Sequence, residues 1–319
     1  LLRKTAGDTM FHLLMLWSTA FAGTVIGDWV CGAIYYSGWT RSQEGKKAII
    51  SRSRTADTLF RVMTMPFRGK MRAIVLKDLK LFFRDTSQWS QIFLLVALMV
   101  VYIYSFKLLP LERADMPSFF LQNLISFLNL GLVGFVVSAV AVRFVFPAVS
   151  LEGNSFWIIR SAPLALKDFL WAKFWSSLLP LLLLAEILIT LSNTLLKVSP
   201  FMMWLGIATT FMMTFGITAL GVGLGAVFPF FKHENVAQIP TGFGGIIYML
   251  ITMLFIGVLI TLEAWPVYRI VTAQTLGRHI PLSGWTSIAL SCISVLAVSI
   301  LALVLPMKIG LTRLKNREI

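Results

Sequence analysis

Seven long apolar runs decide what this chain can fold into. They cover residues 11–36, 91–109, 122–146, 171–195, 202–228, 243–264 and 285–305. A helix needs about 20 residues, rising about 1.5 Å each, to cross roughly 30 Å of hydrocarbon. Lipid offers the backbone no hydrogen bonds, so only helices and closed barrels can span it. The runs lack the ten-residue alternation of barrel strands. The expected fold class is therefore all-α: a polytopic integral membrane helix bundle with seven predicted spans, forming one transmembrane domain over residues 1–319. Composition agrees, with 57% apolar residues, 13% charged residues and a mean hydropathy of +0.82. Soluble domains hold about 45–50% and about 25%, which argues against a soluble enzyme and against a disordered or nucleic-acid-coating chain. Pro110, Pro147, Pro200, Pro229, Pro266 and Pro306 stand at or near the run ends. A proline there interrupts no interior helical hydrogen bond, so these positions read as span boundaries.

Lys and Arg then orient the spans. The 37–90 connection carries twelve of the 28 basic residues. Arg160 and Lys167 lie in the 147–170 loop, Lys232 in the 229–242 loop, and Lys308, Arg313, Lys315 and Arg317 in the tail. The alternate connections hold few: Arg113, Lys197, Arg269 and Arg278. The basic side is expected to be cytoplasmic, with 37–90 and the C-terminus inside a bacterial cytoplasmic membrane. The net charge of +14 is thus a sidedness signal suited to anionic lipids, and no nucleic-acid partner is expected. This orientation puts residue 1 outside, although the chain opens Leu1-Leu2-Arg3-Lys4 with no signal-peptide cleavage site. An N-terminally truncated protein, with an odd number of spans upstream, is expected. Cys31 and Cys292 both fall in apolar runs and imply no disulfide framework.

Within the basic 37–90 segment, Met71, Ile74, Val75, Leu79, Phe82 and Phe83 recur at helical spacing between Lys70, Lys77, Lys80 and Arg84. This predicts an amphipathic elbow helix over 66–85, lying along the inner membrane surface. Asp85 with Gln88 makes a capping-box pattern for the next span, and Trp89 marks the interface.

Asp28 and Glu186 fall inside spans, where an unpaired charge costs several kcal/mol, and are candidate intramembrane polar residues. Arg143 sits near a span end and can snorkel. Gly221 and Gly225 form a GxxxG suited to close helix approach, among the glycines Gly216 to Gly225. No catalytic or metal motif emerges. His12 and His279 map to the outer half and His233 to the inner side, the run Lys232-His233-Glu234 reads as solvated, and no HExxH, CxxC or GxSxG occurs. No G-x-x-x-x-G-K-[ST] occurs either, so any nucleotide hydrolysis is expected in another subunit.

The most specific local chemistry lies between spans three and four. There FPAVSLEGNSFWIIRSAPL (Phe146–Leu164) precedes Ala172-Lys173-Phe174. The residues Glu152, Gly153, Phe156, Trp157 and Arg160 form a compact elbow, expected to present Glu152 and Arg160 outward while Phe156, Trp157 and Ile159 anchor it in the interface. Together with KDLKLFFRDTSQWSQ (Lys77–Gln91), this stretch resembles the permease subunits of ATP-binding-cassette exporters of the ABC-2 type. The resemblance implies a transmembrane subunit of an ATP-driven exporter that is not itself an enzyme, binds no cofactor, and pairs with a cytoplasmic P-loop ABC ATPase that holds ATP and Mg. It also implies a second permease subunit or a homodimer, and members longer than 319 residues. The elbow becomes the candidate ATPase-coupling site. Two other classes compete: a membrane scaffold or signalling protein, and an intramembrane enzyme acting on a lipid-linked substrate. The enzyme lacks a nucleophile–base pair.

Overall fold

The computed structural model describes residues 2–43, 64, 67, 69–84, 97, 99–102, 104–105, 118–231, 236–276 and 282–316. The chain divides into two units, Leu1–Thr58 and Leu59–Ile319. The described residues of the first form one helix, α1 (Leu2–Gln43). The hydroxyls of Ser18, Thr19 and Thr24 donate to carbonyls three or four residues back, at 2.8–2.9 Å, which satisfies them without water.

The second unit begins with α2 (Gly69–Arg84), inside the predicted 66–85 elbow helix. Then follow α3 (Ser118–Phe144), two 3-10 turns (Phe146–Ala148 and Ser150–Ser155), α4 (Phe156–Ser161), α5 (Leu166–Leu196), α6 (Pro200–Val227), α7 (Gln238–Thr241), α8 (Phe243–Leu276) and α9 (Leu282–Lys315). Among the described residues every regular element is helical. Among the described residues six helices are long and apolar enough to cross a membrane: α1, α3, α5, α6, α8 and α9. The predicted span 91–109 falls mostly outside the described residues, so six spans stand where seven were expected. The expected Asp85 cap, Trp89, the Lys232–Glu234 run, Arg278 and His279 also lie outside them.

Two proline boundaries are corrected. Pro266 lies inside α8 and Pro306 inside α9, and both helices run on for several residues. Pro266 lacks the amide that would bond the carbonyl of Leu262, four residues earlier. The Ser291 hydroxyl of α9 donates to that carbonyl instead. In lipid such a substitute donor is what lets a helix continue through proline. Pro200, by contrast, does open α6, where Ser199 accepts from the Met202 amide at 3.3 Å.

Helix α6 packs against α3, α5, α8 and α9 at the centre of this unit. Its glycines make room for neighbouring backbones. A Cβ on Gly225 would collide with the Phe146 carbonyl, and one on Gly223 would sit 2.5 Å from the Pro306 carbonyl carbon. Gly310 of α9 approaches in return, its missing Cβ lying 2.6 Å from the Gly223 oxygen. Leu130, Val137, Phe174, Leu188, Ile217 and Leu259 fill the core around this seam.

A polar ladder joins α3 to α5 at the other end. Ser126 donates to Asn193 Oδ1 at 2.7 Å, and Asn129 Nδ2 donates to Ser192 at 2.7 Å. Ser199 donates through its hydroxyl and its amide to Asn123 Oδ1, at 2.8 and 3.0 Å. Interhelical bonds of this kind contribute roughly 0.6–2 kcal/mol each in membranes.

The helix order places the 144–166 and 227–243 connections and the end of α9 at one end of the bundle. The Phe230 amide donates to Ser150 Oγ at 3.0 Å, tying two of these segments together. Arg143, Arg160, Lys167, Lys308, Arg313 and Lys315 gather at this basic end.

Candidate functional site

At the basic end, α2 lies against the start of α5 with Val75 fully buried. One turn beyond Val75, Lys77 and Asp78 face the loop after α3 and the first turns of α5. The loop meets them because its second 3-10 turn bends sharply at Gly153, with φ +51° and ψ −136°. A side chain is strained at that φ, so the glycine that follows Glu152 is what allows the bend.

The result is an ion quartet. Lys77 Nζ donates to both oxygens of Glu152, at 2.6 and 2.8 Å. Lys173 Nζ, from α5, lies 2.6 Å from Glu152 Oε1 and 2.8 Å from Asp78 Oδ1. Lys77 also approaches Asp78 at 3.7 Å, and the Ser176 hydroxyl reaches Asp78 Oδ2 at 3.5 Å. Side-chain exposure is 5% for Lys173, 9% for Glu152, 15% for Asp78 and 41% for Lys77. Two largely buried carboxylates and two ammoniums cancel in charge. Loss of the buried Lys173 would leave carboxylate charge uncompensated, whereas Lys77 is partly screened by water. Lys173 also stands 5.6 Å above the Phe169 ring. A second strap runs from Lys70, whose ammonium donates to the Pro163 carbonyl.

The elbow residues are thus divided. Glu152 is turned inward and bound, a correction to the expectation that it is presented outward. Phe156 belongs to the core at 3% exposure, stacked on Phe231 with centroids 5.0 Å apart and edge-on to Phe169 at 5.8 Å. Trp157 and Ile158 point away from the core, at 63% and 52% exposure. Arg160 is exposed, and Ile159 packs partly against the core. Phe156 and Trp157 therefore do not form one apolar face, because adjacent helical residues point about 100° apart.

Neither intramembrane candidate is a member of the quartet. Asp28 lies on α1, in the first unit. Glu186 lies in the second half of α5, with its buried Oε1 lacking a hydrogen-bond partner. Sequence reasoning passed over Lys77, Asp78 and Lys173 as site residues, although all three sit in the quoted motif segments. The available signal was weak, because the same segments also carry Lys80, Arg84, Asp85 and Arg160. It also passed over Glu263, which lies in α8 and accepts from Thr209 of α6 at 2.6 Å. Among the described residues no group of three His, Cys, Asp or Glu side chains gathers as a metal site.

Residues 3–319 match the protein family described as "Putative ATP-binding cassette". No curated protein and no solved structure matches the chain. The three segments quoted for the sequence resemblance, around Lys77, Glu152 and Lys173, are the ones that meet in the quartet.

Proposed function

The chain belongs to the family described as "Putative ATP-binding cassette", and on that premise we propose that it is the transmembrane permease subunit of an ABC-2-type exporter. ATP and Mg are bound and hydrolysed by a separate cytoplasmic P-loop ATPase, and this chain moves the cargo without catalysing a reaction. The basic end faces the cytoplasm of a bacterial cell membrane, beside anionic lipid headgroups. A second permease subunit or a second copy of this chain completes the pathway.

One observation carries the reading: the quartet ties a surface helix and a loop to the spanning helix α5 through Lys77, Asp78, Glu152 and Lys173. A push on α2 or on the exposed Trp157–Ile158 edge is thereby delivered to α5. Because buried ion pairs break at a cost of about 3–5 kcal/mol when one partner is lost, α2, the loop and the head of α5 move as one body. Such a body can have two discrete positions, and that is what coupling between sites requires.

The test is co-purification with the cognate ATPase and reconstitution in liposomes. The chain alone should hydrolyse no ATP, and hydrolysis should appear when the ATPase is added. E152Q should lower cargo-stimulated hydrolysis by about tenfold, a coupling change of about 1.4 kcal/mol, while the ATPase still binds. Hydrolysis by the chain alone, or an E152Q complex stimulated like the parent, refutes the proposal.

A further inference from the structure

Glu263 is the most thoroughly buried carboxyl in the spanning helices described, at 6% exposure. It lies on the inward seam of α8 formed by Tyr248, Thr252, Leu259, Glu263 and Val267. Its Oε1 accepts from Thr209 at 2.6 Å, and its buried Oε2 has no hydrogen-bond partner. Apolar side chains close it off on both sides along the bundle. Toward the basic end lie Met213, Phe255, Ile256 and Leu259 of the main core. Toward the other end lies a separate apolar cluster of Phe127, Met202, Val267 and Val271.

Among the described residues no cation answers this carboxyl. The elements packed against α8 are α3, α6, α7 and α9. Helices α6 and α7 contain no ionisable side chain. Helix α3 has only Arg143, in its last turn at the basic end. Helix α9 has Cys292, which is exposed, and Lys308, Arg313 and Lys315 toward the basic end. Glu263 is 20 residues along α8 from Phe243, about 30 Å from that end. On α8 itself, Tyr248 directs its hydroxyl toward the Ile217 carbonyl, and Tyr268 is exposed. Arg269 places its guanidinium carbon 5.4 Å from the Trp265 ring and bonds Ser287 at 3.4 Å, so it is engaged elsewhere. An ionised carboxylate left unpaired in such a place costs several kcal/mol, whereas the neutral acid does not.

We propose that Glu263 is a proton-binding site of the membrane domain, carrying its proton while α6 and α8 are closed around it and releasing it when they part and admit water. The ligand is a proton, which needs no cavity. The bond between the carboxyl oxygen and hydrogen breaks, the electron pair stays on Oε2, and water takes the proton. The closed packing is then favoured at low pH and opening is favoured as pH rises. One proton released per opening allows a change of at most tenfold per pH unit. The inference rests on the bundle alone and stands whether or not an ATPase drives the chain.

Infrared spectroscopy on the full chain in lipid nanodiscs tests the first half. At neutral pH, the wild-type spectrum minus that of Glu263→Gln should contain the carbonyl band of a protonated carboxyl. In Thr209→Val, which keeps the carboxyl, that band should persist at higher frequency because the donated hydrogen bond is gone. Absence of the band from the difference spectrum overturns the proposal, as does a band that Thr209→Val leaves unmoved. Amide exchange over residues 259–267, corrected for intrinsic rates between about pH 6 and about pH 9, tests the second half. Wild-type opening should rise with pH, by at most about tenfold per unit, and Glu263→Gln should be flat. Identical pH profiles in the two proteins would show that no proton is linked to opening.

Discussion

Removing Lys173 from the quartet is the sharpest available perturbation. Its ammonium is 5% exposed and contacts Glu152 at 2.6 Å and Asp78 at 2.8 Å. Lys173→Met keeps the stem's packing and leaves two largely buried carboxylates with a single cation. Losing one partner of a buried pair costs about 3–5 kcal/mol. Lys77 still holds Glu152 through both oxygens, so the expected loss is about 3 kcal/mol, the lower bound of that range. Lys77→Met removes a 41% exposed, partly water-screened cation and should cost about 1 kcal/mol or less. Adding Glu152→Gln to Lys173→Met leaves one cation and one carboxylate, Lys77 and Asp78, in balance, so the double variant should be more stable than the sum of the single losses predicts, by about 2 kcal/mol. Equilibrium unfolding in mixed micelles, with all four members of the cycle at one pH and salt, measures each value. If Lys77→Met costs as much as Lys173→Met, or the losses add within about 0.5 kcal/mol, the four charges are not a coupled unit.

The remaining expectations follow from contacts described above. Ser291→Ala should cost about 1–3 kcal/mol by orphaning the Leu262 carbonyl, but almost nothing in a Pro266→Ala background, where the new amide takes that carbonyl; equal losses in both backgrounds would contradict the pairing. Phe156→Ala should destabilise the fold by about 3–5 kcal/mol. Trp157→Ala should leave thermal stability nearly unchanged and weaken capture of the ATPase, and a large loss of stability would place Trp157 in the core instead. With Cys31 and Cys292 replaced, single cysteines near residues 155 and 235 should resist an impermeant maleimide in intact cells while one near 199 reacts; the reverse pattern would invert the orientation.

The spanning helices were legible because their signal is local: an apolar run of sufficient length forms a helix in lipid whatever it packs against. Their ends were not. Pro266 and Pro306 look like terminators in the sequence, and the donor that replaces the lost amide at Pro266, Ser291, stands 29 residues beyond Leu262. The same distance problem hid the quartet. Glu152 was legible as unusual, but Lys77 is 75 residues away and the Asp78–Lys173 pair spans 95. Glu263 was passed over, being the last residue but one of the predicted span 243–264. Only the continuation of α8 to Leu276 makes it a buried carboxyl. Phe156 and Trp157 shared one expectation because composition cannot tell which of two adjacent aromatics turns inward.

The α6–α9 contact at Gly223, Gly310 and Pro306 has a mechanical character of its own. Backbone meets backbone there, and the residues in touch have almost no side-chain rotamers to lose or rearrange. Such a joint is stiff. It cannot yield by small adjustments as a leucine-packed surface does, so α6 and α9 either travel together or come apart. Compliance must then reside elsewhere, in the contacts between helices that meet through side chains with rotamers to exchange. A bundle built this way has one stiff pair at its centre, α6 and α9, with softer side-chain contacts around it.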